Sequence, residues 1–133
     1  MEKRLMLIVN PAAGRGGYKV NFAEALHTLD LGGYRTTLFF TSGRGEATEF
    51  AARHAGNFDT VACIGGDGTL SEVLAGLMQL DSPPPVGYMP MGTANDVATT
   101  LGLPKNDTVG AARRIVHGTA HPFDVGGFGD DKY

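Results

Sequence analysis

Between residues 61 and 78 three patterns follow one another without a break, and few folds accommodate all three. Val61-Ala62-Cys63-Ile64 is a short apolar run, as in a buried strand. Leu70, Val73, Leu74, Leu77 and Met78 fall at i, i+3, i+4, i+7 and i+8, which is one face of a helix. Gly65-Gly66-Asp67-Gly68-Thr69 joins them. A glycine-rich turn from a strand into a helix exposes several backbone N–H groups. The positive end of the helix dipole points the same way, which suits an anion such as phosphate. Asp67 would repel a bare phosphate, so its carboxylate makes sense there with Mg²⁺ between the two. The arrangement is one for handling nucleotides, of the kind used in phosphoryl transfer.

The same alternation of patterns runs through the rest of the chain. Leu5 to Val9 is a continuous apolar run, a strand buried on both faces, and it leads into the loop Asn10-Pro11-Ala12-Ala13-Gly14-Arg15-Gly16-Gly17. Phe22, Leu26 and Leu29 have helical spacing, stopped by Gly32-Gly33. Tyr34 to Thr41 is β-branched and aromatic, a second strand. After the turn Ser42 to Gly45, residues Ala47, Phe50, Ala51 and His54 form a helical stripe closed by Gly56. Pro83-Pro84-Pro85 cannot continue the third helix, and Val86 to Met89 is a fourth strand. The loop Pro90-Met91-Gly92-Thr93-Ala94-Asn95-Asp96 precedes a short helix, Asp96 to Leu101. Asp107 or Thr108 then caps a helix carrying Val109, Ala112, Ile115 and Val116, and Phe123 to Val125 is a candidate last strand.

Strands alternating with helices imply an α/β fold with a mainly parallel sheet and helices on both faces, a three-layer Rossmann-like lobe. Right-handed crossovers place every strand-to-helix loop on one edge of that sheet, where ligands of such folds bind. The three glycine-rich loops are all of this kind.

Composition narrows the function classes. The chain has 133 residues, 42% hydrophobic and 19% charged, with a net charge of −3. That is an ordinary one-domain balance, and no basic stretch exceeds Arg113-Arg114, which disfavours nucleic acid as a partner. The apolar run after Met1-Glu2-Lys3-Arg4 is too short for a signal peptide or a membrane span. Cys63 is the one cysteine and cannot form an internal disulfide, which fits a reducing cytosol; in a central strand it reads as a small core residue. The twenty glycines cluster in loops, which speaks for loop chemistry.

Each motif also has a plainer reading. Gly-Gly-Asp-Gly alone is a common tight turn. Here it lacks the Gly-Lys-Ser/Thr of a Walker A loop, and Ser71 stands where a dinucleotide fingerprint has its third glycine. Asn10 to Gly14 offers backbone N–H groups and the Asn10 amide, and Thr41 ends the second strand at the same edge. Thr93 or Asn95 serves equally as a helix N-cap, and Glu72, read as lying in the first turn of its helix, is favoured there by the dipole alone. His27, His54, His117 and His121 show no metal-ligand spacing.

Taken together, Ile8-Val9-Asn10-Pro11-Ala12-Ala13-Gly14, Gly65-Gly66-Asp67-Gly68-Thr69-Leu70-Ser71-Glu72 and Pro90-Met91-Gly92-Thr93-Ala94-Asn95-Asp96 resemble the diacylglycerol kinase catalytic domain. The match is to its soluble bacterial branch, related to sphingosine kinases, and the order and coverage agree over essentially the whole chain. The glycine–aspartate motif is shared with NAD kinases and phosphofructokinases; the other two motifs point to lipid kinases.

The resemblance implies the nucleotide-binding lobe of an ATP-dependent lipid kinase, over residues 1–122, with 123–133 beginning an inter-lobe segment. Asn10, Pro11, Ala12, Ala13, Gly14, Thr41, Gly66, Asp67, Gly68, Thr69, Leu70, Ser71, Glu72 and Thr93 match ATP-contacting positions. Asp67 matches the acid that organises Mg²⁺ and the phosphates. Ser71 replaces the usual asparagine, and Glu46 stands where an aspartate commonly follows the strand-two threonine. The expected reaction moves the ATP γ-phosphate to a lipid hydroxyl, diacylglycerol giving phosphatidic acid, in phospholipid metabolism. The family's second, β-rich lobe supplies the general base, so this stretch reads as a truncated fragment, inactive alone. Its expected setting is the cytoplasm, beside the inner face of the membrane. Phe123-Asp124-Val125-Gly126-Gly127-Phe128 suggests an apolar patch that favours homo-oligomers. The alternatives are a lobe of an NAD-kinase-like enzyme or other small-molecule kinase, and a stand-alone nucleotide-sensing module.

Overall fold

A computed structural model describes residues 2–11, 22–91 and 108–117. Four strands are present among them, β1 (Lys3–Val9), β2 (Tyr34–Phe40), β3 (Thr60–Gly65) and β4 (Val86–Pro90). The helices are α1 (Phe22–Leu31), α2 (Glu46–His54), α3 (Asp67–Leu77) and α4 (Thr108–His117), with a short 3₁₀ turn over Ala55–Asn57. The loop residues 12–17 and 92–96, the short helix expected from Asp96, the Asp107 cap and the strand expected at Phe123 lie outside the described residues.

The strands form one parallel sheet in the order β2-β1-β3-β4. β1 lies between β2 and β3 with helices over both faces of the sheet, which explains why Leu5, Met6, Leu7, Ile8 and Val9 are all apolar and all buried. Alternate residues go to opposite layers. Met6, Ile8, Val61, Cys63, Val86 and Tyr88 pack with Ala47, Ala51, Leu70, Val73, Leu74 and Leu77 of α2 and α3. Leu5, Leu7, Val9, Ala62, Ile64 and Met89 pack with Ala25 and Leu29 of α1 and Ala111 and Ala112 of α4. The expected three-layer α/β/α architecture is therefore the observed one.

Element boundaries follow from local chemistry. α1 ends because Gly33 adopts φ +94°, a conformation that costs glycine little, and its carbonyl accepts from Lys3 N–H at 2.9 Å. α2 carries Glu46 and Glu49 in its first turn and Arg53 and His54 in its last, both complementary to the helix dipole. The proline connector ends in a ladder bond, Val61 N–H to the Pro85 carbonyl at 3.0 Å, which feeds the chain into β4 beside β3.

Where α2 meets α3 the two backbones approach closely. A Cβ at Gly76 would meet the Thr48 carbonyl oxygen, the Ala51 Cβ at 2.7 Å and the Ala52 nitrogen at 3.0 Å. These are backbone and Cβ atoms that no rotamer change moves. Gly76→Ala gains about 1 kcal/mol of helix propensity but must push the helices apart, which costs more. We expect a net loss of about 1–2 kcal/mol, read as a lower urea midpoint at unchanged m.

Cys63 sits in the same layer, fully buried, and burial pushes its thiol up to about 12. The fold favours the protonated form, so this stabilisation is complete below the ordinary thiol value. It is lost as pH rises through the folded one, from about 8.5 upward at about 1.4 kcal/mol per unit. The thiol should resist a thiol-specific reagent at pH 8 in the native chain and react on unfolding. Cys63→Ala should show a shallower decline of stability above pH 9 than the wild type.

Candidate functional site

The hydrogen-bond ladder does not stop where the strands end. Thr41 N–H donates to the Val9 carbonyl at 2.9 Å, Asn10 N–H to the Ile64 carbonyl at 3.0 Å and Met91 N–H to the Gly65 carbonyl at 2.9 Å. Each bond ties the first residue beyond a strand to its neighbour. Thr41, Asn10, the Gly65–Gly66 turn and Met91 therefore stand in a row along the carboxyl edge of the sheet, in the strand order β2-β1-β3-β4.

The centre of the row is the turn into α3. β3 ends at Gly65, Gly66 is the N-cap in an extended conformation, and the helix starts at Asp67 without a side-chain cap. The first N–H groups of a helix have no intrahelical partner, so those of this first turn point out of the sheet edge. Gly65 is required by packing: a Cβ there would lie 2.5 Å from the Thr69 Oγ1. Gly68 is different. A Cβ on Gly68 would meet no described atom within 4 Å, and its φ is not positive. Neither backbone conformation nor crowding among the described residues demands glycine at 68. Position 68 is therefore uncrowded, among the described residues, at the N-terminus of the helix.

Three side-chain contacts fix this edge. Asn10 Nδ2 donates to the Thr69 Oγ1 at 3.3 Å, joining the first and third loops. The Glu72 carboxylate accepts from Gly45 N–H with both oxygens at 3.1 Å, at the start of α2, where Gly45 has φ +87°. The Tyr88 hydroxyl, at the end of a ring buried under α3, donates to Asp67 Oδ1 at 2.9 Å. Among the described residues no group of three or more His, Cys, Asp or Glu is placed to hold a metal. Asp67 places a carboxylate at an anion-seeking helix terminus. That donor set suits Mg²⁺, which is commonly held by one or two carboxylates together with substrate phosphates.

The sequence-derived site residues divide accordingly. Asn10, Pro11, Thr41, Gly66, Asp67, Gly68 and Thr69 share the one edge. Leu70 turns its side chain into the core, and its N–H donates to the Gly66 carbonyl at 3.2 Å. Ser71 is exposed on the next turn. Glu72 needs a correction: α3 begins at Asp67, so Glu72 lies in the second turn, and its carboxylate serves the start of α2 rather than the dipole of its own helix. Ala12, Ala13, Gly14 and Thr93 lie outside the described residues. Tyr88 and Gly45 were missed. The signal for Tyr88 was a phenol in a core strand, which needs a partner for its hydroxyl.

Known proteins resemble this chain in sequence and in fold. The diacylglycerol kinase catalytic domain matches residues 4–128. The chain is 41% identical over 126 residues to a diacylglycerol kinase of Bacillus subtilis (strain 168), covering 93% of this chain and 41% of that protein. It is 39% identical over 128 residues to one of Staphylococcus aureus (strain bovine RF122 / ET3-1), covering 95% and 40%. A crystal structure of a diacylglycerol kinase from Bacillus anthracis str. Sterne superposes with a TM-score of 0.71 at 32% identity, over 86% of this chain and 42% of that one. Another chain from that organism reaches 0.75 at 33% identity, over 86% and 39%. The chain spans about two fifths of the length of these relatives. On the match over nearly its whole length, and on a fold that superposes with solved members, the chain belongs to the diacylglycerol kinase catalytic domain family.

Proposed function

We propose that residues 1–122 are the ATP-binding lobe of a lipid kinase that moves the γ-phosphate of ATP to a lipid hydroxyl, with diacylglycerol as acceptor and phosphatidic acid as product. Residues 123–133 begin the passage to the remainder of such an enzyme. The observation that carries this reading is the first turn of α3, with Asp67 as its first residue and a glycine at 68 that no described residue requires. The names of the relatives supply the acceptor class.

Phosphoryl transfer asks little covalent chemistry of a protein and much positioning. The first-turn N–H groups of α3 receive phosphate oxygens. Asn10 and Thr69, already joined, stand beside them, and Pro11, Ala12, Ala13 and Gly14 are assigned to nucleotide contact on the family resemblance. Thr41 and Thr93 contribute hydroxyls from the flanking loops. Gly66, Leu70, Ser71 and Glu72 complete the same stretch, Glu72 by holding the start of α2 in place. Asp67 would hold Mg²⁺, whose charge would screen the phosphate oxygens. We assign none of these residues as general base for the lipid hydroxyl. No helix among the described residues is long and apolar enough to cross a membrane. We place the enzyme in the cytoplasm, meeting its lipid at the inner membrane surface.

Calorimetry with ADP, with and without Mg²⁺, tests the lobe directly. Asp67→Asn keeps shape and loses charge. It should weaken Mg²⁺-dependent binding on the order of 100-fold while leaving metal-free binding nearly unchanged. Equal losses in both conditions would remove Asp67 from the metal. Offering diacylglycerol, sphingosine and NAD in parallel to the full-length enzyme tests the acceptor; phosphorylation of NAD alone would refute the lipid assignment.

A further inference from the structure

The contact least expected from the sequence lies between Tyr88 and Asp67. Tyr88 is the middle residue of β4, paired with Cys63 of β3, and 4% of it is exposed. Its ring belongs to the layer under α2 and α3, while its hydroxyl reaches the first residue of α3. Asp67 follows Gly65 by two residues, and Gly65 pairs with Pro90, two residues beyond Tyr88. The phenol therefore runs from the middle of the sheet up to its carboxyl edge, like a strut between β4 and the first residue of α3.

We propose that Tyr88 is a positioning residue for Asp67, holding the carboxylate in one rotamer so that the Mg²⁺ and phosphate site is set before ligand arrives. The inference rests on the nucleotide-lobe reading. Its basis is physical. An aspartate at the open end of a helix has two side-chain torsions and several accessible rotamers. A ring locked in a packed core has almost none, so a hydroxyl at its tip is a fixed donor. The carboxylate acceptor strengthens the bond relative to one between neutral partners. Outer partners of this kind orient metal-binding carboxylates, and their loss typically costs metal affinity ~10–100-fold. Core filling asks only for the ring; phenylalanine would supply it without a buried polar tip to satisfy. The hydroxyl is the part that reaches the site.

Tyr88→Phe deletes that hydroxyl and keeps the ring, and Tyr34→Phe is the control, since Tyr34 begins β2 at the opposite edge of the sheet. Two measurements on the 133-residue chain decide the matter. In the ligand-free protein, Hα–Hβ couplings of Asp67 should report one rotamer in the wild type and in Tyr34→Phe, and averaged rotamers in Tyr88→Phe. By calorimetry, the gain in ADP affinity on adding Mg²⁺ should fall about tenfold in Tyr88→Phe and stay unchanged in Tyr34→Phe. Metal-free ADP affinity should move by less than about twofold, which a generally loosened fold would not allow. An unchanged Asp67 rotamer, or an intact Mg²⁺ gain in Tyr88→Phe, overturns the positioning role alone. A wild type that binds no ADP overturns the nucleotide-lobe reading; one that binds ADP without any Mg²⁺ gain overturns only the metal role of Asp67 and the strut's part in it.

Discussion

The register of β1 against its two neighbours is the constraint on which everything else depends. β1 pairs in parallel with β2 from Lys3↔Tyr34 to Val9↔Phe40 and with β3 from Leu5↔Thr60 to Val9↔Ile64. All three strands therefore finish at one level, and the ladder bonds of Thr41, Asn10 and Met91 carry the alignment one residue further. A slip of one residue would turn each strand's buried side outward. In β1 both sides are apolar, so that argument is weakest there. The neighbours do the specifying. Tyr34 must face α1 and Phe39 must face α2, and Ala62 must alternate with Val61 and Cys63 across the sheet. The site edge is thus a by-product of core packing, placed by side chains that never touch it.

Small residues decide how closely the layers stack on that sheet. Gly76 lets α3 approach α2, and Gly87 admits Ile115 of α4, whose Cγ1 would stand 2.6 Å from a Cβ. Gly65 leaves room for Thr69. These glycines answer to packing, while Gly33 and Gly45 answer to positive φ. Gly68 answers to neither among the described residues. A chain rich in glycine is ambiguous when counted, and it becomes interpretable once each glycine is assigned to close packing, to a left-handed turn or to an open surface.

How much was legible in the sequence follows from the range of each interaction. Parallel strands covered on both sides leave continuous apolar runs, so β1, β3 and β4 could be read within a residue or two, and the helical stripes gave most of the buried faces of α1, α2 and α3; Met78, read as the end of the α3 stripe, is instead the residue just past the helix and half exposed. The glycine turn was legible because strand, turn and helix are contiguous. Contacts between elements were not. Glu72 reaches Gly45 across 27 residues, and Tyr88 reaches Asp67 across 21. Periodicity tells which layer a side chain enters but not what its tip will meet. Glu72 was misread for that reason, since a carboxylate near a helix start has an adequate local explanation. Its actual partner is the N–H of a left-handed glycine on the neighbouring helix.

The polar groups along the carboxyl edge share one property: each is held by a different element from its own. Asn10 of the first loop is joined to Thr69 of α3, Glu72 of α3 to the start of α2, and Asp67 of α3 to Tyr88 of β4. Thr48 of α2 adds a fourth tie, its hydroxyl donating to the Glu72 carbonyl at 2.7 Å. Such cross-bracing transmits the rigidity of the packed layers to the edge, where loops alone would leave side chains free to sample rotamers. For a lobe that we assign to holding nucleotide phosphates, this matters more than the strength of any one bond. Ordering a mobile side chain on binding costs about 0.5–1.5 kcal/mol, and misplacement of a reacting phosphate by an ångström costs far more in rate. The same bracing explains why α3 can begin on glycines without a side-chain cap. Asn10–Thr69 and Tyr88–Asp67 fasten its first turn from outside, and the N–H groups that a cap would otherwise occupy stay directed at the sheet edge.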